Sequence, residues 1–166
     1  MQGYLDTVEK VYAEAAENVD ETLCCTTAPM WRFPDLNIPE KMLAMNYGCG
    51  STVDPRDLKP EDTVLYVGVG GGLEAFQFAY CTRRPGGVIA VDPVAEMREQ
   101  ARQNFEEAAR LNSWFEPDFV QILDGSALDL PVESNSVSVV AQNCLFNIFK
   151  LDDLNQALSE NFRVLG

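Results

Sequence analysis

Apolar residues follow a helical spacing at the start of the chain and gather into short runs after about residue 60. From Tyr4 to Ala15 they recur every three or four positions, which predicts an amphipathic helix that ends near Asn18 to Asp20. Farther along, four runs rich in β-branched residues lie next to turn residues, which is typical of buried strands. The predicted strands are 63–67, 88–91, 119–123 and 137–141.

Helical patterns separate these strands. The predicted helices are 72–82, 94–111, a short one from Pro39 toward Asn46, and a last one that Asp152 or Asp153 caps. Residues 22–39 contain three prolines and predict an ordered loop. Apolar strands that alternate with helices indicate an α/β fold, in which a mostly parallel sheet is covered by helices on both faces.

A glycine motif of the form G-x-G-x-G joins the first predicted strand to the helix that follows it. Its glycines are Gly68, Gly70 and Gly72. Glycine lets the backbone turn tightly and approach a ligand, and the N-terminus of a helix offers free N–H groups. This placement favours nucleotide-type binding over the alternative, which is a tight turn without a ligand.

An acidic residue ends the second predicted strand. Asp92 stands 20 residues after Gly72, at the distance where a carboxylate accepts both ribose hydroxyls of an adenosine. The alternative is an aspartate that only caps the helix after Pro93. Because the glycine motif and the acid occur in the order that one binding site requires, the ligand interpretation is favoured.

The charge balance is strongly acidic. The 166 residues include 26 Asp and Glu against 12 Lys and Arg, so the formal net charge is −14. A surface of this sign repels phosphate, and neither nucleic acid nor an anionic membrane is expected as a partner.

The chain has no histidine, which excludes Ser-His-Asp catalysis and histidine metal sites. No apolar run approaches the ~20 residues of a membrane span, and the acidic N-terminus is unlike a signal peptide. The five cysteines are an odd number, so we expect reduced thiols and a cytoplasmic protein.

The glycine motif resembles the first motif of the class I S-adenosylmethionine methyltransferases. The stretch GSALDLPVESNSVSVV at 125–140 is similar to the family's third loop and fourth strand. The resemblance implies a Rossmann-like three-layer sandwich with S-adenosylmethionine as cofactor. It places Ser126 and Ala127 beside the adenine and Asn143 near the cofactor. The family's usual acid two residues before the first glycine is replaced here by Tyr66.

The cysteine pattern resembles one branch of that family, the arsenite methyltransferases linked to arsenosugar biosynthesis. Cys24-Cys25 stand in the proline-rich loop, Cys49 in Tyr-Gly-Cys-Gly, and Cys144 after the fourth predicted strand. The resemblance implies that Cys25 (or Cys24), Cys49 and Cys144 are the catalytic thiols that hold arsenite, the As(III) substrate, and thiolates are the soft ligands that suit it. The alternatives are an inert core thiol at 144 and a redox pair at 24–25. Cys81 is expected to be packed.

The resemblance also divides the chain. Residues 1–60 are expected to form an N-terminal helical cap with the cysteine-containing loop, and 61–166 a Rossmann-like S-adenosylmethionine-binding domain. The family's sheet has more strands than the four predicted here, so we expect a domain that is incomplete at its C-terminus. The fourth strand would then lie at an exposed edge through which the chain can self-associate.

Three functions remain open from the sequence. The first is methylation of trivalent arsenic. The second is methylation of another small molecule, with incidental cysteines. The third is a non-catalytic module that binds the cofactor or a metalloid.

Overall fold

A four-stranded parallel sheet forms the centre of the chain. The computed structural model describes residues 3–20, 23, 31–47 and 50–166. The strands are β1 (Val64–Val67), β2 (Val88–Asp92), β3 (Val120–Asp124) and β4 (Val139–Gln142). They lie in the order β3-β2-β1-β4, and every neighbouring pair is parallel. The four predicted strands and the parallel sheet are therefore confirmed.

Five helices surround the sheet in the described part of the chain. They are α1 (Tyr4–Glu17), α2 (Glu40–Ala44), α3 (Leu73–Thr82), α4 (Ala95–Leu111) and α5 (Leu151–Val164). Short 3-10 turns occupy Pro117–Phe119 and Phe146–Ile148. No helix among the described residues is both long and apolar enough to span a bilayer.

Alternate residues of β1 enter two different cores, as expected for a strand with helices on both sides. Val64 and Tyr66 pack with side chains of α3 and α4, such as Phe76 and Phe105. Leu65 and Val67 pack in a second core that includes Ala157 of α5. All four residues of β1 are buried. The predicted three-layer α/β sandwich is thus confirmed.

The start of the last helix differs from the prediction. The sequence predicts Asp152 or Asp153 as its N-cap, but α5 begins at Leu151 after Lys150, and no side chain caps it. The two aspartates lie in the first turn, where negative charge still complements the positive end of the helix. The side chain of Asp153 instead accepts a hydrogen bond from the hydroxyl of Tyr4.

The N-terminal helix packs beside α4. Ala15 and Ala16 form a third apolar cluster with Met45, Val94 and Met97. The helix ends at Glu17 with Asn18 as its C-cap, as predicted. Much of the predicted loop at 22–39 lies outside the described residues, which include only 23 and 31–39 of it.

Candidate functional site

The order in which successive strands are added to the sheet reverses between β1 and β4. The chain runs outward from β1 through β2 to β3 and then returns to place β4 on the other side of β1. In open α/β sheets, ligands bind at such a point, beyond the carboxyl ends of the strands. A cavity of about 170 Å³ lies there. Eight predicted site residues line it: Gly68, Gly70, Gly72, Asp92, Ser126, Ala127, Asn143 and Cys144.

The glycine turn after β1 needs glycine for two different reasons. Gly72 has φ +91°, and a Cβ atom there would lie 2.8 Å from the ring of Phe105. Gly70 has φ +51°, but a Cβ atom there would meet no heavy atom within 4 Å. Gly72 therefore serves the packing of the turn against α4, whereas Gly70 leaves open space at the cavity wall.

A buried polar chain holds this turn in place. Asn104 of α4 donates from Nδ2 to the carbonyl of Gly71 at 2.8 Å, and Gln100 donates to Oδ1 of Asn104 at 3.1 Å. Lys41 of α2 donates in turn to Oε1 of Gln100. Asn104 and Gln100 are 4% and 8% exposed. Because the Gly71 carbonyl is fixed from behind, the orientation of the peptides facing the cavity is fixed as well.

Asp92 lies at the carboxyl end of β2 and is 6% exposed. Its Oδ1 accepts the N–H of Val94 at 2.9 Å, and its Oδ2 accepts the N–H of Gly70 at 3.5 Å. Burial raises the pKa of Asp92 to about 6, although these backbone donors act in the opposite direction. The carboxyl thus joins the glycine turn to the start of α4 and remains at the cavity wall. Its role as a ribose acceptor stays a prediction.

Ser126 and Ala127 follow β3 and close another side of the cavity. The Ser126 hydroxyl accepts the N–H of Leu128 at 3.1 Å, which fixes a local turn. Ala127 is 5% exposed and belongs to the core on the α5 side. These two residues present a small, largely apolar wall, and their contact with an adenine stays a prediction.

A carboxylate that no sequence pattern indicates also lines the cavity. Glu74, in the first turn of α3, is 4% exposed. Its Oε2 accepts the hydroxyl of Tyr66 at 2.6 Å. Burial, followed by the charge of Glu74, raises the pKa of Tyr66 well above its usual value. Tyr66, at the position where the family usually has an acid, was the sequence signal that could have indicated this carboxylate. A buried phenol hydroxyl needs a hydrogen-bond partner, and that partner had to come from another residue.

Two of the predicted site residues, Asn143 and Cys144, lie in the segment directly after β4. Cys144 has φ +50°, a left-handed conformation that is uncommon outside glycine. Beside it, Asn143 donates from Nδ2 to the carbonyl of Gly50 at 2.9 Å. Cys24, Cys25 and Cys49 lie outside the described residues. Within the ranges that are described, no three His, Cys, Asp or Glu side chains group as a metal site.

The remaining cysteine is separate from the cavity. Cys81 lies on α3, is partly buried, and is absent from the cavity lining. Burial raises the pKa of its thiol to about 11, so it stays protonated at neutral pH. This placement agrees with the expectation of a packed thiol.

Helix α1 forms part of the cavity wall. Leu5, Val8 and Tyr12 on one face of the helix line it. Tyr4 attaches the start of the helix to α5, because its ring lies 4.4 Å from Nζ of Lys150 and its hydroxyl donates to Asp153. The helix therefore lines the site as well as packing on α4.

Comparisons with known proteins agree with this geometry. A family model described as a methyltransferase domain matches residues 65–166. The chain is 31% identical over 121 residues to an arsenite methyltransferase of Halobacterium salinarum, an alignment that covers 73% of this chain and 29% of the relative. It is 26% identical over 168 residues to the arsenite methyltransferase of Mus musculus, covering 99% and 43%. The chain thus spans less than half the length of these two relatives.

A solved structure shares the fold. The chain matches an arsenic(III) S-adenosylmethionine methyltransferase from Chlamydomonas reinhardtii with a TM-score of 0.70 and 24% identity. The match covers 84% of this chain and 46% of that one. At this identity the likeness supports the Rossmann-like architecture and nothing finer.

Proposed function

Because the chain belongs to the methyltransferase domain family, we propose that it takes part in methylating trivalent arsenic held by cysteine thiolates. The cofactor that this family implies is S-adenosylmethionine. The proposed arsenic ligands are Cys49 and Cys144, with Cys25 or Cys24 as a third. The relatives named as arsenite methyltransferases support the choice of substrate.

The cavity residues fit an adenosyl sulfonium. Its acidic lining residues Glu9 and Asp92 suit a ligand that carries positive charge. Val94, Met97 and Ala127 offer an apolar wall for an aromatic base. The open space at Gly70 leaves room for close approach to the backbone. We therefore assign the glycine turn to the methionine end of the cofactor and Asp92 to the ribose.

One hydrogen bond is the main structural support for the arsenic assignment. Asn143, next to Cys144, donates to the carbonyl of Gly50, which follows Cys49 directly in the chain. The residue that follows Cys49 therefore contacts the residue that precedes Cys144, and Asn143 and Cys144 line the same cavity as the glycine turn. A soft metalloid ion needs soft ligands from separate segments brought together in this way.

The proposed chemistry requires positioning and little else. The cofactor supplies a methyl group bonded to a positively charged sulfur. Cys49 and Cys144, with Cys25 or Cys24, would hold As(III) with its lone pair available to the methyl group. Methyl transfer would form an arsenic–carbon bond, leave the electrons of the sulfur–carbon bond on sulfur and formally oxidise As(III) to As(V). Residues of the cavity exclude water and orient the two reactants. No proton has to be removed from the arsenic, so a chain without histidine is suited to this reaction.

Methyl transfer to arsenite tests the proposal. The chain is supplied with methyl-labelled S-adenosylmethionine, arsenite and excess glutathione, and methylated arsenic is quantified by mass spectrometry. We expect Cys49→Ser and Cys144→Ser each to reduce the rate at least tenfold. Cys81→Ser is the matched control and should leave the rate unchanged, since Cys81 does not line the cavity.

Calorimetry with S-adenosylhomocysteine completes the test. All three variants should bind it as the unmodified chain does, because the thiols act on the substrate. Equal methylation rates for the unmodified chain and Cys49→Ser would remove the arsenic assignment and leave a methyltransferase for another small molecule. Binding of S-adenosylhomocysteine with no methylated arsenic from any of the chains would contradict the proposal too and favour a cofactor-binding module.

A further inference from the structure

Glu74 is a buried carboxylate without a cationic partner in the described part of the chain. It is 4% exposed, and none of the five ion pairs among residues 3–20, 23, 31–47 and 50–166 includes it. A buried carboxylate needs strong hydrogen bonds to offset the loss of water. The identity of its donors therefore indicates what Glu74 holds in place.

Three of its four donor groups come from one short segment. Oε1 of Glu74 accepts the N–H of Thr52 at 2.6 Å, the hydroxyl of Ser51 at 3.0 Å and the hydroxyl of Thr52 at 3.2 Å. The fourth donor is the hydroxyl of Tyr66, at 2.6 Å from Oε2. The carboxylate thus ties residues 51–52 to the strand and the helix that flank the glycine turn.

The same segment is held from its other side. Gly50 accepts the hydrogen bond from Asn143, and Ser51 follows Gly50 in the chain. Residues 50–52 are therefore fixed between α3 and the end of β4 by side chains that both line the cavity. Cys49 is the residue directly before this clamp.

We infer that Glu74 is a positioning residue for residues 50–52, acting through Ser51 and Thr52, and that arsenical binding by Cys49, which precedes them in the chain, depends on this. This inference rests on the proposed function, in which Cys49 and Cys144 bind one arsenic atom. Fixing the segment in advance lowers the entropy lost when two thiols converge on a single atom. Glu74 thereby joins the glycine turn to the place where the substrate is captured.

Two other roles for Glu74 predict different results. A carboxylate that only stabilises the N-terminus of α3 would affect folding and leave thiol geometry unchanged. A carboxylate that binds a cationic group of the cofactor would chiefly affect cofactor affinity. The positioning role predicts weaker binding of an arsenical by Cys49 and Cys144, with nearly unchanged affinity for S-adenosylhomocysteine.

Phenylarsine oxide provides the readout, because its arsenic bonds two thiols with release of one water. The test is done on the full chain carrying Cys24→Ser, Cys25→Ser and Cys81→Ser, so that only Cys49 and Cys144 remain. We expect Glu74→Gln to raise the Kd for phenylarsine oxide at least tenfold and to change the Kd for S-adenosylhomocysteine less than threefold. Glu74→Asp, which keeps the carboxyl group on a shorter side chain, should give an intermediate Kd.

Glu96 offers a matched control. It is the second residue of α4, as Glu74 is of α3, but it is exposed. Glu96→Gln should leave both dissociation constants unchanged. A Kd for phenylarsine oxide that is the same in Glu74→Gln as in the parent would overturn the inference, as would a tenfold loss of S-adenosylhomocysteine affinity.

The proposed function fails by a separate result. If Cys49→Ser in the same parent leaves phenylarsine oxide binding unchanged, the arsenic site itself is wrong. If Glu74→Gln does not fold, the double variant Ser51→Ala with Thr52→Val replaces it, since it removes two donors and keeps the buried carboxylate. That variant should weaken phenylarsine oxide binding at least threefold, and unchanged binding would overturn the positioning role.

Discussion

Replacing Asp92 by asparagine should raise the free energy of unfolding of the ligand-free chain at neutral pH and lower its affinity for S-adenosylhomocysteine. Asp92 is 6% exposed, and asparagine keeps an oxygen that can accept the N–H of Val94. The substitution therefore removes a buried charge while it retains the shorter of the two backbone hydrogen bonds.

The expected size follows from the pKa of Asp92, which burial raises from 3.8 to about 6. The folded chain holds this proton to a higher pH than the unfolded chain does. The free energy of unfolding therefore falls as the pH rises from about 4 to about 6. One pKa unit corresponds to about 1.4 kcal/mol, so the loss amounts to about 3 kcal/mol. An asparagine side chain does not titrate, so the Asp92→Asn variant escapes this loss.

Urea denaturation at a series of pH values from 4 to 8 measures the effect. The difference in unfolding free energy between Asp92→Asn and the unmodified chain should be small at pH 4 and reach about 3 kcal/mol in favour of the variant above pH 7. Asp118, which is exposed and does not line the cavity, supplies a control for cofactor binding: Asp118→Asn should leave the affinity for S-adenosylhomocysteine unchanged. A difference in unfolding free energy that stays constant from pH 4 to pH 8, or that favours aspartate at high pH, would refute the argument that burial is the main cause of the raised pKa of Asp92. In the unmodified chain, affinity for S-adenosylhomocysteine should rise over the same pH range, and in the variant it should be at least tenfold lower at pH 7.

Gly72→Ala should destabilise the fold by about 1–3 kcal/mol because of its positive φ and its contact with Phe105. Gly70→Ala should lower S-adenosylhomocysteine affinity more than stability, since its Cβ would enter open space, and calorimetry with thermal melting separates the two. Asn104→Leu leaves a buried carbonyl without its donor and should cost about 1–3 kcal/mol in urea denaturation, with severalfold weaker cofactor binding. Phe76→Ala removes a ring that is 0% exposed and should cost about 3–5 kcal/mol in the same assay.

The sequence predicted the order and class of the elements because each strand is a short apolar run and α1, α4 and α5 each have one apolar face. Val64–Val67 lies within the run predicted at 63–67, and Val139–Gln142 is displaced by two residues from the predicted start. The start of α5 was predicted wrongly, since a capping rule assigns Asp152 or Asp153 a local role at the N-cap. The structure gives Asp153 a long-range partner in Tyr4 instead.

Site residues could be predicted where the residue type and its place in the chain indicate the local backbone geometry. Gly70 and Asp92 follow from the position of a turn and the end of a strand. Glu74 was not predictable, because its importance depends on donors at Ser51 and Tyr66 that only the folded chain brings together. Long-range hydrogen bonds of this kind leave no periodic signal in a sequence.

Because α2 is short, amide exchange in this helix should respond to ligand binding in the cavity. Five residues are too few to hold a helix in water, so α2 depends on the neighbours it packs against. One of these is the glycine turn, where a Cβ on Gly71 would lie 2.7 Å from that of Met45, directly after the helix. Ligands that rigidify the turn should therefore slow deuterium uptake by the amides of Leu43 and Met45, and those that bind elsewhere should not.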